Sequence, residues 1–215
     1  MRWVLGDGAL FLVPGLAAKL FRTMSTFRAP MSYDNGQIQI RMYRLEDAAV
    51  VTEAISESYE HLRPWMPWAR PDQTLEHTEA FLRQAIANHL LGTDFTLSVW
   101  DGEEFIGATG FHLRVGPIEW KCAEIGMWIA TRHAGKGLGT LALQAMLEWG
   151  FGEWGWERLI WKCDVKNFAS ARTAEKAGMT LEATFRSDAL GVDGNRRDTH
   201  QYVMLKTEFL AKAGA

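Results

Sequence analysis

The sequence predicts an α/β domain in which a mixed, mainly antiparallel β-sheet is flanked by helices. Three observations carry that expectation. Segments of strand-like and helix-like character follow one another in the order β, α, α, β, β, β, α, β, α, β, β, and a mixed order of this kind builds layers of helix on sheet. A glycine-rich loop joins a strand to a strongly periodic helix. The chain has 215 residues, 47% of them hydrophobic and 23% charged, which suits one globular domain with its own core.

Each element has its own local reason. Residues 38–41 alternate in polarity and read as a first strand. Over 45–62 the apolar positions Ala48, Val51, Ile55, Tyr59 and Leu62 recur at helical spacing. A Pro- and Trp-rich loop, HLRPWMPWARP, covers 61–71. A second helix follows, marked by Leu75, Thr78, Leu82, Ala85, Ile86 and His89, with Asp72 or Thr74 as its cap. Strands are expected over 95–100 and 105–113, joined by Asp101-Gly102, a pair suited to a tight hairpin. A further strand spans 121–130. The third helix runs from Leu138 to about Trp149, with Leu138, Leu141, Ala142, Ala145, Met146 and Trp149 on one stripe. A strand over 158–164, a helix over 168–177 closed by Gly178, and strands over 179–187 and 197–206 complete the order.

Composition excludes several classes. A formal net charge of −3 gives no general cationic surface for nucleic acid, so no direct nucleic-acid binding is expected. Cys122 and Cys163 form no CxxC and read as small buried residues of a reducing compartment. The six His include no HxxxH or HExxH pair, so no metal is expected. Residues 8–21 are mostly apolar but are broken by Pro14 and Lys19. A stretch that short does not span a bilayer, which takes about 20 apolar residues. Residues 1–30 are therefore read as an N-terminal extension, 31–215 as the domain, and the protein as cytoplasmic with no membrane span.

The chemistry begins at RHAGKGLGT, residues 132–140, between a strand and a helix. Backbone N–H groups at a helix N-terminus lack intrahelical partners and favour anions. Glycines let that backbone approach a phosphate closely. A Walker loop requires GxxxxGK[ST], which the Gly after Lys136 breaks. A dinucleotide fingerprint requires GxGxxG near a first strand, whereas this is GxGxG after several strands. The pattern [QR]xxGxG fits Arg132, Gly135 and Gly137. A plain glycine-rich turn is the alternative.

At this point the sequence resembles the GNAT acetyltransferase superfamily, and within it the RimJ/RimL-type N-terminal acetyltransferases of ribosomal proteins. The resemblance rests on WMPW (65–68), AEIGMWI (123–129), RHAGKGLGT and NFASARTAEKAGM (167–179), and spans about 37–206. It implies a GNAT-like acyl-CoA acyltransferase fold with acetyl-CoA as co-substrate. By that resemblance the amides of Gly135, Lys136, Gly137, Leu138, Gly139 and Thr140 hold the pyrophosphate of coenzyme A. Met127, Trp128 and Ile129 pair with the pantetheine arm as an added strand would. Asn167 hydrogen-bonds the arm where two strands splay, or caps the helix, or does both.

The reaction sets further demands. An amine attacks a thioester only when neutral, and an α-amine (pKa about 7.8) is about 3.5 kcal/mol easier to deprotonate than a lysine (about 10.4). Glu124 is the candidate base, with a structural ion pair as its alternative role, and Asp188 is a second carboxylate on the acceptor side. The helix Tyr that many superfamily members use to protonate the thiolate is replaced by Ala174. Ser170, one turn beyond Asn167, takes that place in the resemblance to RimL-type proteins. Trp65 and Trp68 are expected to wall the acceptor groove.

The favoured acceptor is a protein N-terminus. A small-molecule amine (polyamine, antibiotic or amino acid) and a non-catalytic acyl-CoA-binding module remain as alternatives, and a homo-oligomer is left open.

Overall fold

The computed structural model describes residues 27–214. One sheet contains β1 (Ser32–Asp34), β2 (Gln39–Met42), β3 (Phe95–Asp101), β4 (Glu104–His112), β5 (Cys122–Ile129), β6 (Arg158–Asp164), β7 (Thr180–Leu190) and β8 (Arg196–Leu205). Their spatial order is β1-β2-β3-β4-β5-β6-β8-β7. Every neighbouring pair is antiparallel except β5 with β6. The helices are α1 (Ala48–Glu57), α2 (Tyr59–Leu62), α3 (Leu75–Leu91), α4 (Leu138–Phe151), α5 (Phe168–Lys176) and α6 (Lys206–Ala213).

The single parallel pair positions the site. β5 and β6 pair only from Cys122↔Arg158 to Ile125↔Trp161. Beyond that point β5 stays with β4 as far as Ile129↔Gly107. β6 stays with β8 as far as Asp164↔Thr199. The two strands therefore part between Gly126 and Lys162, and the sheet opens into a cleft.

Alternation along the strands sends side chains to two cores. On one face Phe111, Ile125, Leu159 and Trp161 pack with Ala142, Met146 and Trp149 of α4 and Ala171 and Ala174 of α5. On the other, Phe105, Ala108 and Trp128 pack with Val51 and Ala54 of α1 and Leu82 and Ala85 of α3. The second helix has its expected cap, since Thr74 Oγ1 accepts from the His77 N–H at 3.2 Å, and Gly92 closes it at φ +69°. Gly178 ends α5 at φ +83°. Cys122 and Cys163 are both buried and free, as their spacing implied.

The structure departs from the sequence reading in several places. The helix expected over 45–62 is a 3-10 turn followed by α1 and α2, broken at Ser58. Ser58 is fully buried, and its Oγ accepts the Thr131 N–H at 2.9 Å, which ties the break to the loop before the glycines. β1 has only three residues, too few to show a period, and α6 is an exposed C-terminal helix. β7 runs on to Leu190 through an irregularity where Phe185↔Thr199 is followed by Ala189↔Arg197. Finally, Phe27 and Ala29, within the segment read as an extension, pack against the core. The rest of it, including the apolar stretch 8–21, lies outside the described residues. Among the described residues no helix is long and apolar enough to cross a membrane.

Candidate active site

The glycine loop enters from a 3-10 turn, Thr131–His133, and leads directly into α4. Gly135 and Gly137 have φ of +76° and +85°, and a Cβ at either would meet nothing within 4 Å. Conformation, rather than space, is what requires glycine there. Gly137 is the N-cap of α4 and offers no side chain to it. As a result the N–H groups of Gly135, Lys136, Gly137, Leu138 and Gly139 make no internal hydrogen bond among the described residues. The sequence reading extended this set to Thr140, and here it needs correction. The Thr140 N–H already bonds the Gly137 carbonyl at 3.0 Å, in a first helical turn of 3-10 type. The Leu138 side chain packs on the core. Arg132 pairs with Glu57 at 3.2 Å.

Behind the loop, Gly126, Met127, Trp128 and Ile129 form the stretch of β5 that has lost β6. Its free edge lines a cavity of about 1400 Å³, together with Gly135, Gly137, Asn167 and Ser170. Asn167 caps α5, its Oδ1 accepting the Ser170 N–H at 3.1 Å. Ser170 Oγ accepts the indole N–H of Trp161 at 3.0 Å, and Trp161 is the last β6 residue paired with β5. Ala174, where a tyrosine was sought, is fully buried. Burial pushes the Cys163 thiol up, against the opposing pull of Ser170 and the Arg197 charge. Though it lines the cavity, Cys163 is held away from the thiolate form that a covalent relay requires.

Glu124 lies on the α1–α3 face and is 6% exposed. One carboxylate oxygen pairs with Arg114 and the other with Lys162 at 3.4 Å. The structural pair considered for this residue is thus present. A carboxylate has about four lone-pair directions, so room for a water or an acceptor remains.

Trp65 and Trp68 both line the cavity, and the Trp68 ring lies 5.8 Å from that of Trp128. Asp188 also lines it. It belongs to β7, one residue past the strand end expected at 187, on a bulge held by the Ser187 N–H to Asp198 Oδ1 at 2.8 Å. Bulges re-aim side chains in this way, and no short-range periodicity announces one. Opposite, Arg197 and Thr199 line the cavity from one face of β8, with Arg197 Nε and Thr199 Oγ1 buried and unpaired among the described residues.

One group was not anticipated from the sequence. His112 lines the same cavity, with its Nδ1 2.8 Å from Asp94 Oδ1. Thr96 Oγ1 donates to the other Asp94 oxygen at 3.1 Å. The three residues sit on two strands and the turn before them, so no linear motif joins them. The available signal was a polar His at the end of an apolar strand, two residues after Gly110.

A sheet parted at its one parallel pair, with open amides at the mouth and paired polar groups inside, makes a ligand cleft in an α/β domain. Residues 37–180 match the model of the acetyltransferase (GNAT) domain, and the chain belongs to the GNAT acetyltransferase family. It is 30% identical over 179 residues to YdaF of Bacillus subtilis (strain 168), provisionally named a ribosomal N-acetyltransferase, covering 81% of this chain and 94% of that one. It is 30% identical over 133 residues to the ribosomal-protein-serine acetyltransferase of Escherichia coli (strain K12), covering 60% of this chain and 73% of the relative. Among solved structures, the microcin C7 self-immunity acetyltransferase MccE, in complex with acetyl-CoA and AMP, superimposes with a TM-score of 0.74 at 22% identity, over 83% of this chain and 98% of that one. That likeness speaks to the fold.

Proposed function

We propose that this enzyme transfers acetyl from acetyl-CoA to the N-terminal α-amine of a protein, a ribosomal protein by its relatives' names, through direct attack in a ternary complex. The observation that carries the reading is the run of five amides, 135–139, at the mouth of the cleft, which have no partner among the described residues. Amides aimed from a helix N-terminus suit a diphosphate. The free edge of β5, 126–129, suits the two amide groups of a pantetheine arm. The residues present therefore fit coenzyme A. Asn167 stands beside that path.

On this reading Ser170 hydrogen-bonds the departing sulfur. Trp65, Trp68 and Asp188 receive the acceptor, Asp188 by attracting its ammonium group. Glu124, with its two cations, sets the charge of the acceptor face. A raised Cys163 thiol favours direct transfer over a cysteine-bound acetyl group.

The test is thiol release from acetyl-CoA, offered a Ser-initiated hexapeptide, spermidine and free amino acids. The expected result is fastest release with the peptide. Release with spermidine alone moves the assignment to small amines. Tight acetyl-CoA binding with no release on any amine makes the protein a binding module and removes the enzymatic acceptor reading.

A further inference from the structure

Gly110 of β4 and Gly126 of β5 face each other across the sheet, and together they make a notch. A Cβ built on Gly110 would stand 3.1 Å from His112 Nε2, and one on Gly126 would stand 2.8 Å from it. Two facing glycines thus let the His112 imidazole lie down over the strands, where any side chain would exclude it. Its 14% side-chain exposure is what a ring in a notch retains.

The location matters as much as the fit. Gly126 is the first β5 residue beyond the last pair with β6, Ile125↔Trp161. His112 Nε2 therefore stands at the apex where the sheet opens. Ala108, Gly110 and His112 share one strand face, the face that α1 and α3 cover. Ser170 contacts Trp161, whose core is the opposite one. The imidazole and the serine hydroxyl flank the apex from its two sides.

The hydrogen bonds fix the tautomer. A carboxylate can only accept, so the ring nitrogen facing Asp94 carries the hydrogen. In the neutral imidazole the lone pair is then on Nε2. Asp94 is itself oriented by Thr96. Nucleophile-activating bases are built in this manner, with a carboxylate holding the far side of the ring. The charged groups around His112 are Asp94 before β3, Glu124 as its cross-strand partner on β5, Arg114 just beyond β4 and Lys162 of β6, with His61 and His77 across the cavity.

We infer that His112 is the general base of the transfer and Asp94 its positioning residue, an inference resting on the acetyltransfer reading above. The acceptor ammonium gives one proton to His112 Nε2, and its nitrogen lone pair then attacks the thioester carbonyl carbon. The C–S bond breaks and its electron pair leaves on sulfur. The second amine proton, lost as the amide forms, ends on that sulfur by way of Ser170 or water. His112 returns its proton to solvent, so the products are the acetylated amine, the free thiol and one proton.

The test compares the full-length wild type with His112→Gln, His112→Ala and Asp94→Asn, using acetyl-CoA with the Ser-initiated hexapeptide and with spermidine. His112→Gln is expected to lower kcat/KM by about 10²- to 10³-fold, in the range of a lost general base, with the Kd of acetyl-CoA unchanged by calorimetry. In that variant the low-pH limb of kcat/KM should no longer follow the enzyme and should track the acceptor's own ionisation, about 7.8 for the peptide α-amine. Added imidazole should restore part of the His112→Ala rate. Asp94→Asn should cost roughly 10-fold in kcat and displace the low-pH limb, which loss of packing alone does not do. An active wild type with His112→Gln within twofold in rate and the same pH profile overturns the inference and leaves the acetyltransfer reading standing. A wild type that releases no thiol with any amine removes both. Should His112→Gln fail to bind acetyl-CoA, the Asp94→Asn profile decides, and an unmoved limb there overturns the inference.

Discussion

Trp161 donates its indole N–H to Ser170 Oγ at 3.0 Å, joining the last residue of the parallel pair to the first turn of α5. The bond occupies one lone pair of the hydroxyl and fixes its oxygen beside the open end of the sheet. Its hydrogen is left to serve a partner on the cavity side, where Cys163 already interacts with the hydroxyl.

Ser170→Ala therefore has two separable effects. The buried indole N–H loses its acceptor, which costs about 1–3 kcal/mol of stability. The chemical step should slow by roughly 10-fold as the departing sulfur loses a donor. Urea denaturation reads the first and single-turnover acetyl transfer the second. A stability loss with full single-turnover rate would leave Ser170 a purely structural partner of Trp161.

Glu124 lies between Arg114 and Lys162. Arg114 is more than half exposed, so water screens that partner and weakens the pair. Glu124→Gln is expected to cost about 1–2 kcal/mol in stability, less than the loss of a fully buried pair. It also leaves Lys162 unneutralised on the acceptor face, so KM for a cationic acceptor should rise several-fold. With His112 as base, kcat should stay within about threefold and the pH profile should keep its shape. A collapse of kcat equal to that of His112→Gln would return the base role to Glu124.

Legibility followed the range of each interaction. The strand 158–164 and the Thr74 cap were readable because they depend on neighbours within one turn or one strand. The glycine loop was readable for the same reason, since the open amides of 135–139 and the positive φ of Gly135 and Gly137 are local properties. Even there Thr140 was assigned too much, because the first helical hydrogen bond already takes its N–H. Long-range partners were not readable. Ser58 breaks a periodic helix to reach Thr131, 73 residues away, and Asp94 meets His112 across a strand pair. Glu124 was visible as a carboxylate on the right strand, but its two cations come from other elements.

Gly137 and Gly139 should respond differently, which tests why each is glycine. At φ +85°, Gly137→Ala costs about 1–2 kcal/mol in backbone strain, and acetyl-CoA affinity should fall about 10-fold as the loop relaxes and its amides lose their common aim. Gly137→Glu adds negative charge against phosphate and should abolish binding. Gly139 is already helical, and a Cβ there meets Ile129 Cγ1 at an ordinary 3.5 Å. Gly139→Ala should fold with wild-type stability, within about 0.5 kcal/mol. Wild-type acetyl-CoA affinity in Gly137→Glu, measured by calorimetry, would remove the phosphate assignment.

Alkaline stability should be governed in part by two tyrosines. Tyr33 donates to Glu148 at 2.7 Å and Tyr202 to Glu175 at 3.0 Å. Burial first, and the carboxylate second, pushes each phenol from 10.0 up to about 12. A raised folded-state pKa means that the unfolded chain ionises first. The contribution is fully present below pH 10 and is lost as pH rises from 10 to about 12. Urea midpoints at about pH 8 and about pH 11.5 should therefore fall more steeply for the wild type than for the Tyr33→Phe, Tyr202→Phe double variant. Lysines titrating over the same range (about 10.4) are common to both proteins and cancel in the comparison. The double variant should start lower at pH 8, by about 1–3 kcal/mol for two hydrogen bonds to carboxylates, and converge on the wild type as pH rises. Parallel slopes would mean that neither phenol is held neutral by the fold.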